Sequence, residues 1–107
     1  MFTRIVECQV KPDKRQELSN KIRTDVLPIL QRQPGFVELI GLQHDSNQER
    51  TVSISFWNSR EEAERYHREH FNQIADMLKP LLKTTPKVET YNVDTSTTHR
   101  IAAGRAA

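Results

Sequence analysis

Across residues 51–81 the spacing of apolar side chains changes once. It goes from every second residue to every third or fourth, and the change falls at Asn58-Ser59. Before it, Val52, Ile54 and Phe56 alternate with Thr51, Ser53, Ser55 and Trp57, the period of a strand whose two faces meet different surroundings. After it, Ala63, Tyr66, His67, His70, Phe71, Ile74, Met77, Leu78 and Leu81 fall on one side of a helical projection, and the charged residues of that stretch fall on the other. Ser59 suits the N-cap, and Glu62 stands where its carboxylate can reach back to the cap's backbone N–H. A strand that ends on the chain's one tryptophan and turns at once into a long amphipathic helix admits few folds. The helix must lie back across the sheet from which that strand comes.

The remaining segments supply that sheet. Residues 2–10 read as a first strand, with Phe2, Val6, Cys8 and Val10 of one parity and Ile5 of the other. Lys11-Pro12-Asp13 breaks it, with Asp13 as the expected N-cap of a helix striped by Leu18, Ile22, Val26, Ile29 and Leu30. Pro28 lies inside that helix and is expected to kink or interrupt it, and Pro34-Gly35 ends it. Residues 36–44 form a second strand, with Phe36, Ile40 and Leu42 assigned to one face and Val37 and Leu39 to the other. A polar turn at 45–49 leads into the strand ending at Trp57, and a last strand spans 87–93. The order β-α-β-β-α-β is the ferredoxin-like plan of the α+β class: an antiparallel sheet with the first and third strands central and both helices on one face. The domain is expected over residues 1–93, and residues 94–107 form a tail without periodicity, mobile or clasped onto a neighbour.

Composition matters in two places. Only 36% of the 107 residues are hydrophobic, which is lean for a core of this size, while both parities of the first two strands carry Val, Ile or Leu. A second copy packed sheet to sheet is the economical remedy, so a homodimer is expected. The formal charge of +2 is too small to recruit nucleic acid. No apolar run is long enough to span a bilayer, the N-terminus lacks a signal-peptide pattern, and the single cysteine, Cys8, fits a reducing compartment. A cytoplasmic protein is expected.

Phe56-Trp57-Asn58-Ser59-Arg60-Glu61-Glu62-Ala63, with Tyr66-His67 and Phe71, resembles the antibiotic biosynthesis monooxygenase family. Val10-Lys11-Pro12, the stretch from Leu27-Pro28 to Gln33-Pro34-Gly35-Phe36, Lys79-Pro80-Leu81-Leu82 and the 88–93 strand are similar to it too, so the resemblance covers about residues 3–93. It implies a dimeric α/β barrel of two ferredoxin-like subunits, each with a pocket between sheet and helices. The activities it implies include cofactor-free oxygenation of aromatic quinols, quinol oxidation and heme degradation. Heme-degrading members use an asparagine in the first strand, a tryptophan ending the third, and a histidine well along the second helix. Trp57 matches, but Cys8 stands near the asparagine position and Ala75 or Asp76 near the histidine position, so heme degradation is not expected.

His67 and His70 are the least expected residues of their helix, since both project into its apolar arc. One of them facing the pocket could act as a general base on a phenolic proton, kept neutral by desolvation; alternatively each is a buried histidine bonded to the sheet. They lie one turn apart, but no carboxylate or cysteine shares their face, so no metal is expected. Trp57 can form pocket wall or core. Asn58 can donate to a bound oxygen or help cap the turn, Tyr66 can orient a substrate through its hydroxyl, and Phe71 can line the pocket. Asp25 can face cavity or solvent at the rim of the first helix. Cys8 is expected to be a small buried hydrophobe and not a nucleophile. No Gly-rich dinucleotide fingerprint is present, and no cofactor is expected. Two functions remain open: a cofactor-independent monooxygenase or quinol oxidase acting on a small electron-rich aromatic, and a non-catalytic dimeric module that binds a small hydrophobic ligand or serves as an accessory subunit. The second requires that both histidines be locked by hydrogen bonds and that no polar group point into the cavity.

Overall fold

A computed structural model describes residues 1–101. Four strands, β1 (Phe2–Gln9), β2 (Phe36–Gln43), β3 (Arg50–Trp57) and β4 (Lys87–Asn92), form one antiparallel sheet in the order β2-β3-β1-β4. Two helical rods cover one face. The first runs through α1 (Arg15–Lys21), a π-helical turn at Ile22–Val26, and α2 (Leu27–Gln31). The second runs through α3 (Arg60–Tyr66), a π-helical turn at His67–Phe71, α4 (Asn72–Leu78) and a 3-10 turn at Lys79–Leu81. This is the ferredoxin-like α+β fold, and its core joins Phe2, Val10 and Trp57 of the sheet to Leu18, Leu30, Tyr66, Ile74 and Leu78 of the rods.

Local chemistry departs from expectation at several points. Asp13 does not cap α1: the N-cap is Lys14, which makes no side-chain cap bond, and Asp13 itself takes a left-handed φ of 63°. Pro28 does not end the first rod, but the regular α-helix is interrupted just ahead of it. The π turn ahead of it lets Leu27 N–H bond to the Ile22 carbonyl, and Pro28, which has no N–H to place, sits in the opening turn of α2. Ser59 does cap α3, accepting from Glu62 N–H at 3.3 Å. The Glu62 carboxylate, however, accepts from the Ser59 hydroxyl at 2.9 Å and does not reach the cap's own N–H. It also lies where a Cβ on Gly35 would be, and Gly35 has a φ of 81°, so only glycine closes the corner between the first rod and β2 without collision.

The largest correction concerns β2. The register slips between Phe36 and Glu38, a bulge at Val37 that reverses the parity of the rest of the strand. Phe36 and Leu39 therefore both pack on the helix-covered core, while Ile40 and Leu42 lie on the opposite face. Residues 95–101 turn back toward the sheet. Ser96 and Ile101 form a bridge, and His99 sits 5.1 Å from the Phe56 ring and 2.8 Å from the Glu38 carboxylate. The part of the tail past Ile101 lies outside the described residues.

Candidate functional site

The face of the sheet beneath the rods is not apolar throughout. In the paired register Phe2, Arg4, Val6 and Cys8 of β1 stand opposite Trp57, Ser55, Ser53 and Thr51 of β3. Arg4 is the unexpected member, only 3% exposed. Its guanidinium lies 5.0 Å from the centroid of the Tyr66 ring and 4.8 Å from that of Phe71, and its Nη2 donates to His67 Nδ1 at 2.9 Å. It forms no ion pair among the described residues. Burial pulls its pKa below the ordinary value and Tyr66 opposes the shift, yet an arginine stays charged. Ring faces and one imidazole lone pair thus hold a buried cation that no carboxylate neutralises.

The π turn of the second rod builds this arrangement. In a continuous α-helix Tyr66 and Phe71, five residues apart, would point about 140° from each other. The wider turn at His67–Phe71 brings both rings over Arg4 and rotates His67 to the outside. The same turn explains why His67 is exposed although simple projection placed it in the apolar arc. Its ring stacks on Phe71 at 5.0 Å, and burial and then Arg4 lower its pKa. Because Arg4 only donates, Nδ1 is the acceptor and neutral His67 carries its proton on Nε2. His70 is half-buried, 6.3 Å from the Tyr66 ring centroid and 3.9 Å from Glu69.

A cavity of about 60 Å³ lies between sheet and rods, lined by Arg4, Cys8, Ser53, Ser55, Tyr66 and Phe71 together with Ile22, Val26 and other apolar side chains. Both π turns thus contribute to its wall. Arg4 also lines a groove of about 360 Å³ between α3 and β4, shared with His67 and Arg68. On the other side, an open groove of about 560 Å³ runs between α1 and the β2 end of the sheet and shares Val6, Cys8, Ile22, Leu39 and Ser53 with the inner cavity.

The sequence model for antibiotic biosynthesis monooxygenases matches residues 1–76. The chain belongs to that family. Among solved structures it is similar to SnoaB, a cofactor-independent oxygenase from Streptomyces nogalater, at 20% identity and a TM-score of 0.76 over 90% of this chain and 95% of that one. A monooxygenase from the gene ActVA-Orf6 of Streptomyces coelicolor, solved with nanaomycin D, gives 17% and 0.77 over 89% and 88%. A conserved protein from Methanosarcina mazei Go1 gives 23% and 0.72 over 86% and 92%. At these identities the likeness is one of fold. No curated protein sequence matches the chain.

Against the family's pocket between sheet and helices, the residues singled out from sequence divide into three groups. Tyr66 and Phe71 line the inner cavity. Trp57 is fully buried one layer behind it: its ring stacks on Tyr66 at 5.1 Å and meets Phe36 edge-on at 5.6 Å, and its Nε1 donates to the Ser55 hydroxyl at 2.9 Å. His67 does not line the inner cavity and meets its wall through Arg4 and Phe71, and His70 lines none of the three spaces. Asn58 is exposed at the corner, where its backbone N–H donates to the Gly35 carbonyl at 2.8 Å, and Asp25 faces solvent 3.7 Å from Lys21. Cys8 lines the cavity as a protonated thiol, pushed up to about 11 by burial and then by Glu7. Sequence reading passed over Arg4, Ser53 and Ser55. The signal was present, since Arg4 shares its parity with Phe2, Val6, Cys8 and Val10, and a lone charge on the core side of a strand either finds a partner or serves a site.

Proposed function

We propose that this chain is a cofactor-independent monooxygenase or quinol oxidase acting with dioxygen on a small electron-rich aromatic. The observation that carries the reading is Arg4, a cation at the wall of the inner cavity with no acidic partner among the described residues. A bound phenolate or enolate supplies the missing negative charge. Stabilising that anion lowers the pKa of the bound phenol, and each unit is worth about 1.4 kcal/mol. The proton then passes to water in the open groove, and no histidine inside the cavity is needed. His67 keeps the guanidinium turned toward the cavity, Tyr66 and Phe71 shield it, and Trp57 braces Tyr66 and Ser55 from behind. His70, Asn58 and Asp25 take no part.

The electrons come from the substrate. In oxygenation the anion gives one electron to dioxygen, and the resulting radical and superoxide combine by forming a C–O bond. The peroxide takes up a proton, and loss of water breaks the O–O bond. One oxygen atom ends in a new carbonyl and the other in water. In the oxidase variant, two electrons and two protons leave the quinol and dioxygen becomes hydrogen peroxide. The presence of Arg4, Ser53 and Ser55 in the cavity wall supports this reading over a passive hydrophobic-ligand module. The proposal includes a homodimer through the sheet face opposite the rods, where Ile5, Ile54 and Ile40 stand side by side on three strands. The test is dioxygen uptake by metal-stripped protein with a panel of hydroquinones, anthrones and catechols. Substrate-dependent uptake that falls at least about tenfold in folded Arg4→Leu protein supports the proposal. Wild-type protein inert across the panel overturns it in favour of the binding module.

A further inference from the structure

The inner cavity, at about 60 Å³, has room for about two water molecules and none for an aromatic ring. Most of its wall is apolar, with Ile22, Val26, Leu30 and Ile74 among the side chains that close it, and no aspartate or glutamate lines it. The polar groups there do not call for water. The Ser55 hydroxyl accepts from Trp57 Nε1, Arg4 donates to His67, and among the described residues every fully buried side-chain nitrogen and oxygen has a partner. An apolar cavity with no orphaned polar group stays dry and takes up apolar gases. Among the described residues, Arg4 is the one that this cavity shares with the groove of about 360 Å³ between α3 and β4. That groove falls within the range of small-molecule sites, and Phe2, Ala63 and Val88 give it apolar walls. An aromatic anion paired with Arg4 therefore has space in the groove and not in the cavity.

We infer that the inner cavity is the dioxygen site of the proposed oxygenase, a dry chamber for a diatomic gas with the Arg4 guanidinium between it and the aromatic substrate. The inference rests on the proposed oxidation for its chemistry, but gas binding can be measured without turnover. When the phenolate gives up one electron it becomes a neutral radical, and dioxygen becomes superoxide. The negative charge passes from one side of Arg4 to the other, so one cation stabilises the donor before the transfer and the acceptor after it. Superoxide then forms the C–O bond with the radical, or takes a second electron from it and two protons and leaves as hydrogen peroxide. Dioxygen is paramagnetic and speeds the relaxation of nearby nuclei, so methyl NMR of the substrate-free full chain under dioxygen, against nitrogen, locates the gas. The methyls of Ile22, Val26, Leu30 and Ile74 are expected to show an enhancement at least about threefold that of Val10, Leu81 and Leu82, which are buried but line none of the three spaces. Ala75→Leu adds bulk to the cavity wall and is expected to remove that difference, and to raise the KM for dioxygen about fivefold while leaving the KM for a hydroquinone unchanged. Equal enhancement of the two methyl sets in wild type, or an enhancement or dioxygen KM that is unaltered in folded Ala75→Leu, overturns the inference. The wild-type comparison holds whether or not the variant folds. If the methyl pattern appears and dioxygen uptake does not, the gas site stands and the oxygenase proposal falls. If hydroquinones are oxidised and the pattern is absent, the reverse holds.

Discussion

Each face of the sheet carries a few residues opposite in polarity to their surroundings, polar ones within the core face and apolar ones among the charged residues of the other. The face under the helical rods holds Arg4 and Ser55, 3% and 5% exposed, along with Ser53 and Thr51. The other face, which among the described residues is covered only by the contact made by residues 95–101, carries Ile40 and Leu42 at 36% and 48% exposure, with Ile5, Val52, Ile54 and Phe56 beside them. A sheet that served only to build a core would have the reverse arrangement, since apolar area leaves water most favourably and an unpaired buried charge is costly. On the proposed function, the inner face is a chamber wall that tolerates some loss of stability, and the outer face meets a second copy of the chain.

The contrast between the faces can be broken from either side. The outer face gives the largest effect: Ile54→Asp puts a charge at the centre of the isoleucine row, and a dimer buried there loses about 2–5 kcal/mol, at least a thirtyfold weakening. Sedimentation equilibrium reads it, and an unchanged mass at micromolar concentration means that this face is not the interface. On the inner face, Arg4→Leu is expected to cut substrate-dependent dioxygen uptake about a hundredfold, near 2.7 kcal/mol of transition-state stabilisation. Its melting temperature stays or rises, because an apolar group replaces an unpaired buried charge; a large drop would make Arg4 structural. Trp57→Phe removes the donor to Ser55 and part of the stack on Tyr66, and costs about 1–3 kcal/mol in denaturant unfolding. A neutral outcome would mean that the layer behind the chamber is not tightly packed.

Two smaller effects sharpen the description of the chamber. With a pKa of about 11, about 1% as much of Cys8 is thiolate as in a thiol at its ordinary value of 9.0, so native protein is expected to alkylate about a hundredfold more slowly at pH 8 than unfolded protein. Equal rates would show that solvent reaches the chamber freely. His67 has its pKa lowered in the fold by burial and then by Arg4. The folded chain thus favours the neutral ring. The associated stability is complete above the ordinary histidine pKa and is lost as pH falls through the lower folded value. Proton NMR should place its titration below that of the same ring in the unfolded chain, and Arg4→Leu should move it part of the way back.

Much of this architecture is legible from residue order. The alternation ending on Trp57, the cap at Ser59 and the stripe from Ala63 to Leu81 give the strand, the turn and the covering rod, and they lead to the observed sheet order. The site was less legible, for three separate reasons. The bulge at Val37 has no compositional mark, yet one extra residue moved Leu39 inward and Ile40 outward. The π turn at His67–Phe71 makes a fixed helical period place His67 in the apolar arc, whereas it is exposed. Arg4 was visible as a charge on the apolar parity of β1, but its importance depends on rings and an imidazole more than sixty residues away.

The sequence by itself determined the elements, their order and the family, because periodicity, caps and turn residues act over a few neighbouring residues and survive without any knowledge of distant contacts. Only the tertiary structure decided which sheet face lies under the rods, that Trp57 stands behind the inner cavity, and that Arg4 meets Tyr66, Phe71 and His67 with no acid beside it among the described residues. Those outcomes depend on a one-residue bulge and two widened helical turns. Each changes side-chain direction by a step too small to register in composition and large enough to exchange inside for outside.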